Sequence, residues 1–166
     1  MSVVACKITK EQIEISADSI VVRGYTQEKA TGKFAKLIET NNMIIGGVGH
    51  AAENGMMQIF ASTRKPEAST ESGLLNFVAE FASWKKKTTD KYEIFNNFII
   101  AFEGHAFLCE EFCVKEITDY AATGAGMDYA LAALYLGNDT KKAVETACEL
   151  CVYCERPIVT FTMPRI

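Results

Sequence analysis

Apolar residues recur along this chain with two alternating periods, and the order of those periods restricts the fold more than any single motif. Strand-like runs come first, in hairpin-joined sets. Two helical patterns follow, then strands again, two more helices and a last strand. The first set is S-V-V-A-C-K-I-T, a polar K-E-Q, and I-E-I-S-A-D-S. Ile13, Ile15 and Ala17 fall on one face, with Glu14, Ser16 and Asp18 on the other. Two short runs joined by a few polar residues predict a β-hairpin. Ile20–Arg23 is a further short apolar run, and the polar stretch Gly24–Gly32 reads as a loop. Lys33–Ile38 alternates with period two, Asn41-Asn42 signals a turn, and Met43–Val48 is continuously apolar, which makes a second hairpin.

Helices are expected over 51–62 and 71–84. In the second, Leu74, Leu75, Val78, Phe81 and Ala82 share one face. Phe98–Phe102 reads as a buried strand, Glu103-Gly104-His105 as a turn, and Ala106–Val114 as the partner strand. A shorter strand, Ile117–Thr123, runs into Gly124-Ala125-Gly126. Two more helices cover Met127–Leu136 and Thr140–Cys154, with Thr140 as the cap of the second, and Pro157–Phe161 forms the last strand. Hairpin-joined strands with helices in pairs imply antiparallel sheets covered by helical layers. The fold class expected is α+β, a four-layer αββα sandwich, with residues 1–166 as a single domain.

The formal charge is −4, and the one basic run is Lys85-Lys86-Lys87. A nucleic-acid face needs clustered Lys and Arg, so the charge argues against nucleic acid as a partner. No apolar stretch has the length to span a bilayer. Lys7, Lys10 and Glu11 interrupt what would otherwise be a signal-peptide core, so a cytoplasmic protein is expected. The six cysteines then read as free thiols. Cys148, Cys151 and Cys154 have the C-x2-C-x2-C spacing that opens an iron–sulfur run. The fourth ligand would fall on Ile158, and the three cysteines also continue the apolar stripe of Ala143, Val144 and Ala147. Packing as small hydrophobes is the expectation. His50 follows a Gly-rich strand-to-helix junction, where backbone N–H groups are free to face a ligand. His105 sits in a turn.

Ser2 supplies a more specific lead. An initiator Met before a small residue is expected to be removed, which leaves a serine hydroxyl beside a free α-amine, a nucleophile with its own base. Asp18 ends the second strand, so the hairpin returns it to the chain start. Lys33 begins the next strand, and an ammonium near the amine lowers the amine's pKa. Taken alone, Asp18 and Lys33 read equally well as a surface ion pair beside a frayed terminus.

Five segments in order resemble the proteasome β-subunit family of N-terminal nucleophile hydrolases, and most of all its bacterial two-ring ATP-dependent protease subunit. S-V-V-A-C-K…I-E-I-S-A-D-S resembles the family's T-T-x-V…V-x-A-x-D-x. Gly32–Leu37 resembles the K-x-x-(K/R)-(L/I) strand, Gly49-His50-Ala51-Ala52-Glu53 the G-x-x-A-D segment, and Gly124–Ala130 the G-S-G-x-x-Y-A segment. The paired helices that follow resemble the family's as well. The resemblance implies Ser2 as nucleophile, Lys33 and Asp18 as its supporting pair, and Gly49 as the oxyanion N–H donor, with Gly47 the alternative. It implies no cofactor beyond a monovalent cation held by backbone oxygens near Cys148, Cys151 and Cys154. It also implies peptide or unfolded-protein substrates, a homo-oligomeric ring and an ATPase partner. Three residues depart from the pattern: Ser2 for Thr, Ala125 for Ser and Glu53 for Asp. Two functions therefore stand as expectations. One is a peptide-bond hydrolase with Ser2 exposed by loss of Met1. The other is a non-catalytic building block of a ring or filament.

Overall fold

The computed structural model describes residues 1–29 and 35–166. Eleven strands and four helices are assigned among them. Strands β1 (Val4–Ile8) and β2 (Gln12–Ala17) form the opening hairpin, with Val4 opposite Ala17 and Ile8 opposite Ile13. They are the central strands of a four-stranded antiparallel sheet. β10 (Tyr120–Thr123) flanks β1, and β11 (Val159–Pro164) flanks β2. The second sheet runs in sequence order through β5 (Leu37–Thr40), β6 (Met43–Val48), β7 (Asn97–Phe102), β8 (His105–Glu110) and β9 (Cys113–Glu116). All its pairs are antiparallel too.

Helices α1 (Ala51–Ala61) and α2 (Glu71–Thr89) follow β6; α3 (Met127–Tyr135) and α4 (Thr140–Leu150) follow β10. Three apolar clusters separate four layers. Phe60, Phe77 and Phe81 of the first helix pair pack with Phe98, Ile100 and Phe107 of the five-stranded sheet. Ile13 and Ile15 meet Ile44 and Ile99 between the sheets. Val3 and Ala5 meet Ala130, Leu134, Val144 and Ala147 of the second helix pair. The order is helices, sheet, sheet, helices, the αββα sandwich expected from the pattern. Gly46 lies where the sheets approach: a Cβ there would stand 2.7 Å from Val4 Cγ1.

Several boundaries differ from expectation for identifiable reasons. The stretch read as a loop after Gly24 contains β4 (Thr26–Lys29), which pairs with β3 (Ile20–Arg23) as a separate two-stranded ribbon. All four β4 residues are exposed, so no apolar alternation marks them. The run Ala106–Val114 is two strands, because Glu111 adopts a left-handed conformation (φ 53°) and reverses the chain. His105 starts β8 rather than lying in the turn before it. Helix α2 extends to Thr89 and stops at Asp90, whose φ of 57° is that of a left-handed cap. Asp139, not Thr140, caps α4 by accepting from the Lys142 N–H. Thr140 instead donates its N–H to Glu14 at 2.9 Å and ties the helix to β2. α4 ends at Leu150, so Cys151 and Cys154 lie in the turn beyond it and do not extend its stripe.

Candidate active site

The opening hairpin places Ser2 two residues before β1 and Asp18 directly after β2. Ser2 is buried, and its carbonyl accepts from the Gly126 N–H at 3.2 Å. Gly124, at φ +101°, passes so close that a Cβ on it would lie 2.4 Å from that carbonyl. The Gly124–Gly126 segment thus fixes the chain start by backbone contact, which explains glycine at both ends of it. Ala125, between them, is exposed. Ser2 itself has φ 131°, a conformation that a residue with a Cβ adopts only under constraint.

Asp18 is 1% exposed and every lone-pair direction it offers is used. Oδ1 accepts from the Val3 N–H at 2.9 Å and from Lys36 Nζ at 2.9 Å. Oδ2 accepts from the Ile20 N–H at 3.0 Å and the Glu155 N–H at 3.2 Å. One carboxylate therefore joins the residue before β1, the β3 ribbon, the loop after α4 and the residue before β5. Lys36 is buried as well. Burial pushes its ammonium below the usual lysine range, and the charge and hydrogen bond of Asp18 act in the opposite direction.

Ser2, Lys36 and Gly49 line one cleft of about 690 Å³, with β3 on one wall and the first half of α1 on the other. Met1 lines the same cleft. Gly49 takes φ +131°, and a Cβ there would stand 2.2 Å from Asn96 Oδ1. The Gly47 N–H is committed to the Lys36 carbonyl at 3.0 Å, whereas among the described residues none accepts from the Gly49 N–H. His50 also lines the cleft, its ring 5.6 Å from that of Phe95.

Of the four residues singled out in the sequence, Ser2 and Gly49 meet in this cleft with Asp18 behind Ser2. Lys33 lies outside the described residues. The lysine seen on Asp18 is Lys36, the second basic position of the same motif. Asn96 and Lys85 were not expected at the site; together with Glu53 of the Gly49–Glu53 segment they support the corner that carries Gly49. Among the described residues no group of three or more His, Cys, Asp and Glu is placed to hold a metal ion, and no helix is long and apolar enough to cross a membrane.

No family model matches the chain. It is 28% identical over 171 residues to the ATP-dependent protease subunit HslV of Rickettsia prowazekii, a match spanning 94% of this chain and 91% of that protein. Its fold superposes on Thiobacillus denitrificans BPH with a TM-score of 0.87 at 20% identity, covering 98% of this chain and 97% of that one. The same protein in complex with epoxomicin gives 0.84 at 20% identity, covering 98% of both chains. Eukaryotic HslV from Trypanosoma brucei gives 0.72 at 18% identity, covering 98% of this chain and 99% of that one. The solved structures establish an N-terminal nucleophile hydrolase fold, and the near full-length sequence similarity to HslV supports the resemblance to the proteasome β-subunit family.

Proposed function

We propose that this chain is an N-terminal serine hydrolase that cleaves peptide bonds. The observation that carries the reading is the buried Asp18–Lys36 pair set directly behind Ser2 at the head of a cleft. Loss of Met1 frees the Ser2 α-amine. Ser2 Oγ then attacks the substrate carbonyl while its proton passes to that amine, directly or through a water. Lys36 holds the amine neutral by like-charge repulsion, and Asp18 holds Lys36. This gives Lys36 the role that the sequence motif suggested for Lys33. The Gly49 N–H faces the developing oxyanion, a contact worth about 3 kcal/mol in comparable sites. The exposure of Ala125 lets water reach the place where the family carries a serine hydroxyl.

β3 pairs only with β4 among the described residues, so its other edge is open along the cleft to an extended peptide. A homo-oligomeric ring and an ATPase partner belong to the same reading. The name of the Rickettsia relative, an ATP-dependent protease subunit, supports an assembly that works with ATP hydrolysis. Exposed apolar residues at the end of α4 and just after it, Leu150, Val152 and Tyr153, support the ring.

Intact mass of the native protein, before and after treatment with a peptidyl β-lactone, tests the proposal. The expected result is a chain lacking Met1 with one adduct on Ser2, lost in Ser2→Ala and in Lys36→Ala. Native mass spectrometry of the same sample reports the ring. A chain that keeps Met1 and takes no adduct would leave the non-catalytic building block as the function.

A further inference from the structure

A second buried polar cluster lies beside the cleft without lining it. Asn96, Glu53 and Lys85 are all nearly inaccessible, between 0% and 4% exposed. Lys85 of α2 pairs with Glu53 of α1 and also donates to the Glu93 carbonyl. The other Glu53 oxygen accepts from the backbone N–H groups of Phe95 at 2.9 Å and Asn96 at 2.7 Å. The Asn96 side chain then faces the strand-to-helix corner. Its Oδ1 accepts from the His50 N–H at 2.6 Å. Its Nδ2 donates to the His50 carbonyl at 2.9 Å and to Asn54 Oδ1 at 2.8 Å. Asn54 Nδ2 in turn donates to the Gly47 carbonyl at 3.0 Å.

We infer that Asn96 is the positioning residue of the oxyanion donor, holding the Gly49 N–H toward the cleft. The inference rests on the hydrolase reading above. Gly49 lies between two anchored peptides: the Gly47 carbonyl is held through Asn54, and His50 is held at both its N–H and its carbonyl. With both flanks fixed, the two torsions on either side of the Gly49 N–H have little freedom. Oxyanion stabilisation depends on such pre-set donors, because a donor that must reorient during the reaction forfeits most of its effect. The residue type follows from the contacts. His50 offers one donor and one acceptor, so the side chain that binds both must carry one of each at a fixed separation, which an amide does. Aspartate in its place would set an acceptor against the His50 carbonyl and Asn54 Oδ1. Glycine at 49 follows as well, since a Cβ would collide with Asn96 Oδ1. The Lys85–Glu53 pair orients the loop that delivers Asn96, and no buried side-chain polar atom among the described residues is left without a partner.

The test is the acylation of Ser2 by a peptidyl β-lactone, with kinact and KI measured separately. Asn96→Ala is expected to lower kinact by roughly a hundredfold, the scale for losing one oxyanion donor, with KI within about threefold of the parent. Asn54→Ala, which keeps a good helix former in α1, should lower kinact by about tenfold through the lost hold on Gly47. The pH at which kinact is half-maximal should not move, since the amine and Lys36 are untouched. Amide exchange is read in parallel: the His50 N–H should exchange faster in Asn96→Ala than in the parent. Equal kinact in parent and both variants would overturn the inference while leaving the hydrolase reading intact. A parent that takes no adduct would overturn the hydrolase reading. In that case unchanged His50 exchange in Asn96→Ala would also overturn the anchoring, and faster exchange would uphold it.

Discussion

Asp18 and Lys36 form a buried pair at the edge of the cleft, but they are not equally dependent on the pair. Asp18 has three backbone N–H donors besides Lys36. Among the described residues, Lys36 Nζ has Asp18 as its one hydrogen-bond acceptor. Removing the carboxylate orphans three N–H groups and a buried ammonium, whereas removing the ammonium leaves a carboxylate still well solvated by the backbone. Asp18→Ala is therefore expected to cost about 3–5 kcal/mol and Lys36→Met clearly less, measured by urea unfolding. The lowered pKa of Lys36 sets the pH dependence. The folded chain releases this proton before the unfolded chain does, near 10.5, so the unfolded state binds more protons between the two values. The Lys36 contribution is fully present above 10.5 and is lost as pH falls through the folded value. The stability difference between parent and Lys36→Met should accordingly move in the parent's favour as pH rises from 7 toward 10.5. Ser2, Asp18 and Gly49 were legible because a hairpin and a glycine junction leave local signatures. The lysine was not. Lys33 and Lys36 are three apart, which on a strand puts them on opposite faces, and a pattern of alternation cannot say which face meets Asp18. Asn96 left no signature at all, because its contacts reach a corner 46 residues away.

At the level of elements, ends were harder to read than interiors. Helix α2 begins where Thr70 accepts from the Gly73 N–H at 3.1 Å. Replacing Thr70 by Ala should cost about 1 kcal/mol, read from the shift of the chemical-denaturation midpoint at unchanged slope. Its far end was not legible, because Lys85 reads as one of three solvated lysines. In the fold it is buried against Glu53 and carries the helix beyond Trp84. The β3–β4 ribbon was missed for the opposite reason: β4 buries nothing, and only its ladder with β3 defines it.

For the molecule as a whole, layer order was legible because each sheet face and helix stripe needs an apolar partner, and four helices with two sheets satisfy that need in few ways. The spacing between layers is set more locally, at Gly46 and Val4. Gly46→Ala brings a methyl within 2.7 Å of Val4 Cγ1 and should cost about 1–3 kcal/mol by forcing the sheets apart. Val4→Ala makes room, so the double variant should be more stable than the sum of the single costs implies. A double-mutant cycle in urea measures that coupling, and strict additivity would refute it. Val4 is two residues from Ser2, so a change in sheet spacing reaches the site through one short stretch of β1.

The positive φ at Ser2 has a further consequence for the proposed loss of Met1. Its φ of 131° is a rotation between Ser2 and the carbonyl of Met1. Once Met1 is cut away that carbonyl is gone, and the angle no longer exists as a constraint. A conformation of this kind costs on the order of 1–3 kcal/mol while it lasts. Trimming is thus an unloading step. The untrimmed chain is held like a latched spring by Gly124, Gly126 and Asp18, and the cut that frees the amine also lets the end of the chain relax. On the proposed reading, the strain at Ser2 therefore favours the shorter chain.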